Sequence, residues 1–290
     1  SYALEREAGR SLTGVKSPDR PADKLIVHPD VRKMLLTIRA FSEAHRALYM
    51  FLGQQADKEQ YGTEDQKREG AELMALLTPI AKGFMTETGL EAASIGVQVY
   101  GGHGFIREWG MEQNLRDARI STLYEGTTGI QALDLLARKI LGSKGAILKP
   151  FGAEVTAFCV ENAGNEAMQE FIQPIMTFGG DWQKMTQNIG AKAMQNPDEI
   201  GAASVDYLMY SGYVVLAYFW AKMAKVSLEK MNTIIKQRER LEFFICLVLF
   251  LKQSNSIFFC IFFYINSSNL ISIITPGINI TIYNHSSSSS

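Results

Sequence analysis

The sequence predicts an all-α fold on three observations. Apolar residues recur at helical spacing through most of residues 1–240. No run of any length alternates apolar and polar residues as a half-buried strand does. One helix carries recognisable signals at both of its ends. The first element opens at Asp30, after Pro29, with Val31, Met34, Leu35, Ile38, Phe41, Leu48 and Phe51 on one stripe. Gly62, Thr63 and Glu64 mark a turn. From Lys67 a second long stretch carries Leu73, Leu76, Leu77, Ile80, Phe84, Ile95 and Val99 and ends at Gly101-Gly102, with Gly89 as a point of interruption. Residues 103–125 read as irregular. The next helix is the best marked: Thr128 and Gln131 form a Thr-x-x-Gln capping box, and Ile130, Leu133, Leu136, Ala137 and Ile140 form its apolar face. Arg138 and Lys139 stand in its last turn, and Gly142 suits a left-handed cap. Ser143–Pro150 reads as a linker. Val155–Asn162, Glu166–Asn188 and Ser204–Lys230 are helical again. Faces such as Phe171/Ile175/Trp182/Ile189 and Tyr207/Tyr210/Val214/Trp220 suit packing on the main bundle, and the region is read as structural or oligomer-forming.

Composition bounds the function. With 290 residues the chain can hold one or two domains. Its 29 Lys+Arg against 30 Asp+Glu, net charge −1, excludes a dedicated nucleic-acid binder. Cys159, Cys246 and Cys260 form no CxxC pair, and the four histidines form no HExxH motif, so neither a disulfide framework nor a metal site is expected. The charged opening predicts no signal peptide. The expected division is a helical bundle over 1–145, an appended helical region over 146–230 and an atypical tail over 231–290. Within that tail, residues 241–290 contain two charges, ten Ile, seven Phe, ten Ser and no Ala. Its apolar segments Leu241–Leu251 and Ile257–Ile265 fall short of the roughly 18 residues a membrane-spanning helix needs. Such a composition suits an A/T-rich non-coding or frame-shifted stretch better than a membrane anchor, and the tail is assigned no function.

Unusual residues cluster between Gln98 and Gln131. Gly101, Gly102 and Gly104 permit positive φ and a close ligand approach, or simply stop a helix. A dinucleotide fold does not fit, because no strand precedes the glycines and GxGxxG is not matched. Glu125 stands just outside the capped helix beside Gly126. It is either a carboxylate facing a cleft or a surface glutamate favoured by the helix dipole. Glu108, Glu112 and Asp117 read as solvated acids, Arg107, Arg116 and Arg119 as surface or ion-pair residues, and His103 as a polar loop residue.

Taken together, Gln98–Gly104 and Tyr124-Glu125-Gly126-Thr127-Thr128-Gly129-Ile130-Gln131 resemble the C-terminal signature of the acyl-CoA dehydrogenases, and Tyr2-Ala3-Leu4-Glu5-Arg6 resembles a segment that opens a helix of the same domain. The likeness covers about residues 1–225. It is greatest to the branch with an extra C-terminal helical region, which includes 3-methylmercaptopropionyl-CoA dehydrogenases. The resemblance implies an FAD-dependent oxidoreductase that desaturates an acyl-CoA between its α and β carbons, with Glu125 as the α-proton base and Gly126 against the substrate. It implies that Thr127, Thr128 and Gly129 contact the flavin, and that Arg6, Gln98, Val99, Tyr100, Gly101 and Gly102 reach the FAD of a neighbouring subunit. A homo-oligomer and an electron-transfer flavoprotein as acceptor are implied too, in the cytoplasm of a bacterium or the mitochondrion of a eukaryote. The family's N-terminal helical domain and middle β-domain have no counterpart here, so a fragment is expected, inactive alone. Ser11–Lys24 reads as an insertion that puts a flavin role for Glu7 and Ala8 in doubt. An acyl-CoA oxidase, which uses the same base, and a non-catalytic helical module are the alternatives.

Overall fold

A computed structural model describes residues 1–233; the segment 234–290, with nearly all of the expected tail, lies outside the described residues. Nine α-helices carry the described fold: α1 (Tyr2–Glu5), α2 (Pro29–Tyr61), α3 (Glu64–Tyr100), α4 (Gly102–Phe105), α5 (Met111–Ser121), α6 (Thr128–Leu133), α7 (Leu148–Glu161), α8 (Gln169–Ala193) and α9 (Asp198–Thr233). Among the described residues the one strand-like feature is an isolated antiparallel bridge between Glu7 and Lys24. The all-α expectation stands.

α2 and α3 form the frame. A two-residue link, Gly62-Thr63, turns the chain back on itself, so the two long helices pack antiparallel. Thr63 Oγ1 accepts the Gln66 N–H, and the Gln66 side chain accepts the Thr63 N–H, a reciprocal capping box that starts α3 three residues before the expected Lys67. Gly89 does not interrupt α3, which runs unbroken for 37 residues. Leu48, Leu73, Leu76, Leu77, Ile80 and Phe84 are all but fully buried between these helices and the rest of the bundle.

Three readings are corrected. Residues 103–125 are not irregular throughout: α5 occupies eleven of them. Its inward face, Met111, Glu112, Leu115, Ala118 and Ser121, is half-buried and mixed in polarity, so the sequence carries no continuous apolar stripe there. The helix after Glu125 is α-helical only to Leu133; Asp134–Leu141 is π-helical, with Gly142 N–H reaching back five residues to the Ala137 carbonyl at 2.9 Å. The wider turn changes the buried face. Leu135, Leu136 and Ile140 are buried with Ala132, whereas Ile130 and Leu133 stand exposed. Gly142 is right-handed at φ −59°, and the left-handed conformation falls instead to Lys144 and Gly145, so Gly142 is not a left-handed cap.

α9 threads the centre. Residues 207–208 and 213–221 are buried on every side, against Phe84 of α3, Phe51 of α2 and Phe151 and Phe158 of α7. By length and composition α9 could cross a membrane, but 56% of its most apolar window is buried inside the bundle. One hydrophobic cluster therefore runs through α2, α3, α6 and α7–α9. Phe171, Ile175, Trp182, Tyr207, Val214 and Trp220 are buried in it as expected, and Ile189 and Tyr210 pack against it. The segment Ser11–Lys24 winds around the fully buried Asp23, whose carboxylate accepts the N–H groups of Ser11, Lys16 and Ser17 and pairs with Arg10.

Candidate functional site

The loop joining α5 to α6 carries Glu125. After Ser121 the chain must reverse within six residues, and two consecutive left-handed residues achieve it, Glu125 at φ +52° and Gly126 at φ +87°. A non-glycine residue in that conformation costs free energy and persists only where its surroundings impose it. Here they do. The Gln131 side-chain amide donates to the Glu125 carbonyl at 3.3 Å. Lys82 of α3 donates its ammonium to the carbonyls of Ser121 and Gly126. A Cβ on Gly126 would come within 2.6 Å of the Gln131 amide nitrogen, so the absence of a side chain there is what lets the Gln131 brace form. The Glu125 side chain is left exposed, with no ion pair among the described residues, and the exposed apolar residues Ile120, Leu123, Tyr124 and Ile130 surround the loop in sequence.

The helix start differs from expectation by one residue. Thr127, not Thr128, is the N-cap, its hydroxyl accepting the Ile130 N–H at 3.3 Å. Thr128 is the first residue inside the helix, and its hydroxyl donates to the Glu87 carboxylate of α3 at 2.5 Å. With Thr127 as the cap the third helical residue is Ile130, so no capping box forms, and the Gln131 amide donates to the Glu125 carbonyl. Lys82 and Glu87, both half-buried on α3, were missed by the sequence reading, which had no signal for them: each looks like an ordinary helical surface charge.

The other predicted residues gather at the far end of α3. Tyr2 stacks on Tyr100 with centroids 4.1 Å apart, donates to the Tyr100 carbonyl and pairs with His103 Nδ1 at 2.8 Å. Trp109 stacks on His103 at 4.3 Å. This aromatic knot fixes α1, and with it the exposed Arg6, beside Gln98–Gly102. Gly101 holds φ +56° and ψ −137°, and neither it nor Gly102 has an atom within 4 Å of an added Cβ, so bare backbone is presented outward. Val99 is buried against Ala3 and Val31, which leaves only its backbone to meet a ligand. The structure thus brings Arg6 and Gln98–Gly102 together at one place and Glu125–Gly129 at another. Their anchor points on α3, Glu87 and Gly101, lie roughly 20 Å apart at 1.5 Å per residue.

The comparisons with known proteins agree with this architecture. Residues 3–141 match the family model of the acyl-CoA dehydrogenase C-terminal domain, and residues 151–249 match that of the acetyl-CoA dehydrogenase C-terminal-like region. The chain belongs to the acyl-CoA dehydrogenase family. It is 40% identical over 213 residues to the 3-methylmercaptopropionyl-CoA dehydrogenase of Ruegeria pomeroyi, covering 73% of this chain and 36% of that protein. It is 29% identical to a broad-specificity linear acyl-CoA dehydrogenase of Mycobacterium tuberculosis, covering 80% of this chain and 39% of that one. It spans a little over a third of the length of these curated relatives. Among solved structures, the Caenorhabditis elegans acyl-CoA dehydrogenase ACDH-11, in complex with C11-CoA, has a TM-score of 0.61 at 20% identity, over 77% of this chain and 35% of that one. An acyl-CoA oxidase of Yarrowia lipolytica has a TM-score of 0.59 at 19% identity, over 86% of this chain and 38% of that one. At those identities the likeness speaks for the fold.

Proposed function

We propose that this chain is the catalytic-base part of an FAD-dependent acyl-CoA dehydrogenase, with Glu125 removing the α-proton of an acyl-CoA thioester. The observation that carries the reading is the strained, twice-anchored conformation of Glu125: φ +52° at an exposed carboxylate, imposed by Gln131 and Lys82. Strain of this kind concentrates where a side chain must be aimed. Glu125 accepts the proton on its carboxylate. Its own N–H has no acceptor among the described residues, which leaves that donor for the thioester carbonyl, where negative charge grows as the proton departs. Gly126, whose missing side chain gives Gln131 its room, is the residue set against the substrate on this reading.

FAD, when bound, would accept the β-hydrogen as hydride. The residues present suit it. The Gly129 N–H at the start of α6 has no acceptor among the described residues and favours a polar or anionic group, and Gly101-Gly102 offers backbone for close approach. The separation along α3 supports a reading in which Glu125–Gly129 and Arg6/Gln98–Gly102 serve two different flavins. On that reading the second set reaches a neighbouring subunit's cofactor in a homo-oligomer, and the family resemblance implies an electron-transfer flavoprotein as acceptor.

Glu125→Gln in the complete enzyme tests the base. Turnover of acyl-CoA should fall by about 10² to 10⁴, the usual contribution of a general base, while the purified protein keeps its flavin absorbance. Turnover within a few-fold of the parent would remove Glu125 from the role.

A further inference from the structure

A cleft of about 760 Å³ opens between the end of the π-helical stretch, α7 and α8, with Val214 of α9 in its wall. None of Glu125–Gly129 lines it. Its volume lies within the range of about 300–1,000 Å³ typical of small-molecule sites. The wall is largely apolar, including Leu141, Phe151, Val155, Ile175 and Trp182.

Three features of the wall have no explanation in the packing of this chain. The first is glycine. Gly152 of α7 and Gly179 and Gly180 of α8 all line the cleft inside helices, where glycine is the poorest helix former after proline. An added Cβ at any of the three would meet nothing within 4 Å, so no close contact demands them. The second is charge. Lys144 and Lys149 are the charged residues of the lining, no carboxylate joins them, and neither forms an ion pair among the described residues. Both occupy positions that local physics disfavours: Lys144 is left-handed at φ +54°, and Lys149 stands in the first turn of α7, at the positive end of the helix dipole. The third is Trp182, which is 6% exposed. Its indole N–H has no hydrogen-bond partner of good geometry, although the Tyr207 hydroxyl is near enough to feel it.

We propose that this cleft binds a single-chain amphiphile with an anionic head, its hydrocarbon lying along the glycine-lined wall and its head at Lys144 and Lys149. An apolar trough with unpaired cations and no acid selects that chemistry over a neutral lipid or a cation. The proposal stands independently of the role given to Glu125.

The test is titration of the 290-residue chain with dodecanoate below its micellar concentration, using dodecanol as the neutral counterpart and 11-bromoundecanoate to quench tryptophan emission. Dodecanoate should bind saturably at one site, and the bromo-acid should quench an emission component that disappears in Trp182→Phe. Gly179→Leu, which adds bulk into open space and improves helix propensity, should weaken binding at least tenfold with unchanged far-ultraviolet circular dichroism. The double substitution Lys144→Ala/Lys149→Ala should weaken dodecanoate several-fold more than dodecanol. A free acid and an acyl thioester share this chemistry, and competition by dodecanoyl-CoA against bound dodecanoate separates the two sources. Non-saturable uptake, or equal affinity in Gly179→Leu, would overturn the proposal. So would a change of oligomeric state in Gly179→Leu without dodecanoate binding to the parent, which would make the cleft a contact between copies.

Discussion

Lys82 places one half-buried ammonium on two backbone carbonyls, Ser121 and Gly126, and so joins the middle of α3 to the loop that holds Glu125. Hydrogen bonds from a charged donor contribute about 1.5–3 kcal/mol, and removing the donor leaves both carbonyls without a partner. Lys82→Met should therefore lower the unfolding free energy by about 1–3 kcal/mol in urea titration and accelerate amide exchange in residues 122–127 more than elsewhere. An unchanged exchange pattern in that loop would mean that Gln131 alone holds it. Neither Lys82 nor Glu87 was legible in the sequence. A lone charge on a helix has the same local signature whether it faces water or a loop some forty residues downstream.

At the scale of elements, the bundle depends on how closely α9 approaches α3. Two glycines mark the crossing. A Cβ on Gly83 would meet Leu208 Cδ1 at 2.8 Å, and one on Gly212 would overlap the Phe84 ring. The Leu208 side chain can rotate aside; Phe84, fully buried against Phe41, His45 and Tyr213, has nowhere to move. Gly212→Ala should then destabilise by about 1–3 kcal/mol despite its better helix propensity, as over-packed cores do, and Gly83→Ala by less. Thermal unfolding of the two variants side by side checks the order. The long helices α2, α3 and α8 were legible to within five residues, whereas α9 begins six residues before the expected Ser204 and α7 seven before the expected Val155. α5 was not legible, because its inward face, Met111, Glu112, Leu115 and Ala118, is only half-buried and mixed in polarity, with Met111 filling the space over Gly96.

For the whole molecule, acid is the sharpest probe of this packing. His45 donates to or accepts from Thr88 Oγ1 at 3.0 Å, and Phe41 and Phe84 flank its ring. The charged groups of its own helix nearby, Glu43 and Arg46, are engaged with Arg39 and with each other. Burial lowers its pKa from 6.5 to about 4. The unfolded chain thus takes up this proton at higher pH than the folded one. Stability is full above pH 6.5 and falls as pH drops toward 4, by at most about 3 kcal/mol from this residue. Asp23 acts further down. The backbone N–H of Ser11, with those of Ser17 and Lys16 and the charge of Arg10, holds its carboxyl below the ordinary 3.8 against the opposing effect of burial, so its contribution is present above that value and lost below it. Urea midpoints measured from pH 7.5 to 4.5 should decline in the parent and decline less in His45→Gln. Equal slopes would show that other groups govern the acid limit.

By itself, the sequence determined that this is a helical chain of the acyl-CoA dehydrogenase family, because helical periodicity and the Gln98–Gly104 and Tyr124–Gln131 motifs are local patterns. Tertiary structure decided where α6 begins: the loop sets Thr127 at the cap, and the Thr128 hydroxyl turns to Glu87 of α3. It also decided that Glu125 is left-handed, that the appended helices share one core with the bundle through α9, and that a cleft opens between α7 and α8. Each of these depends on contacts between residues distant in the chain, and such contacts leave no trace in local spacing.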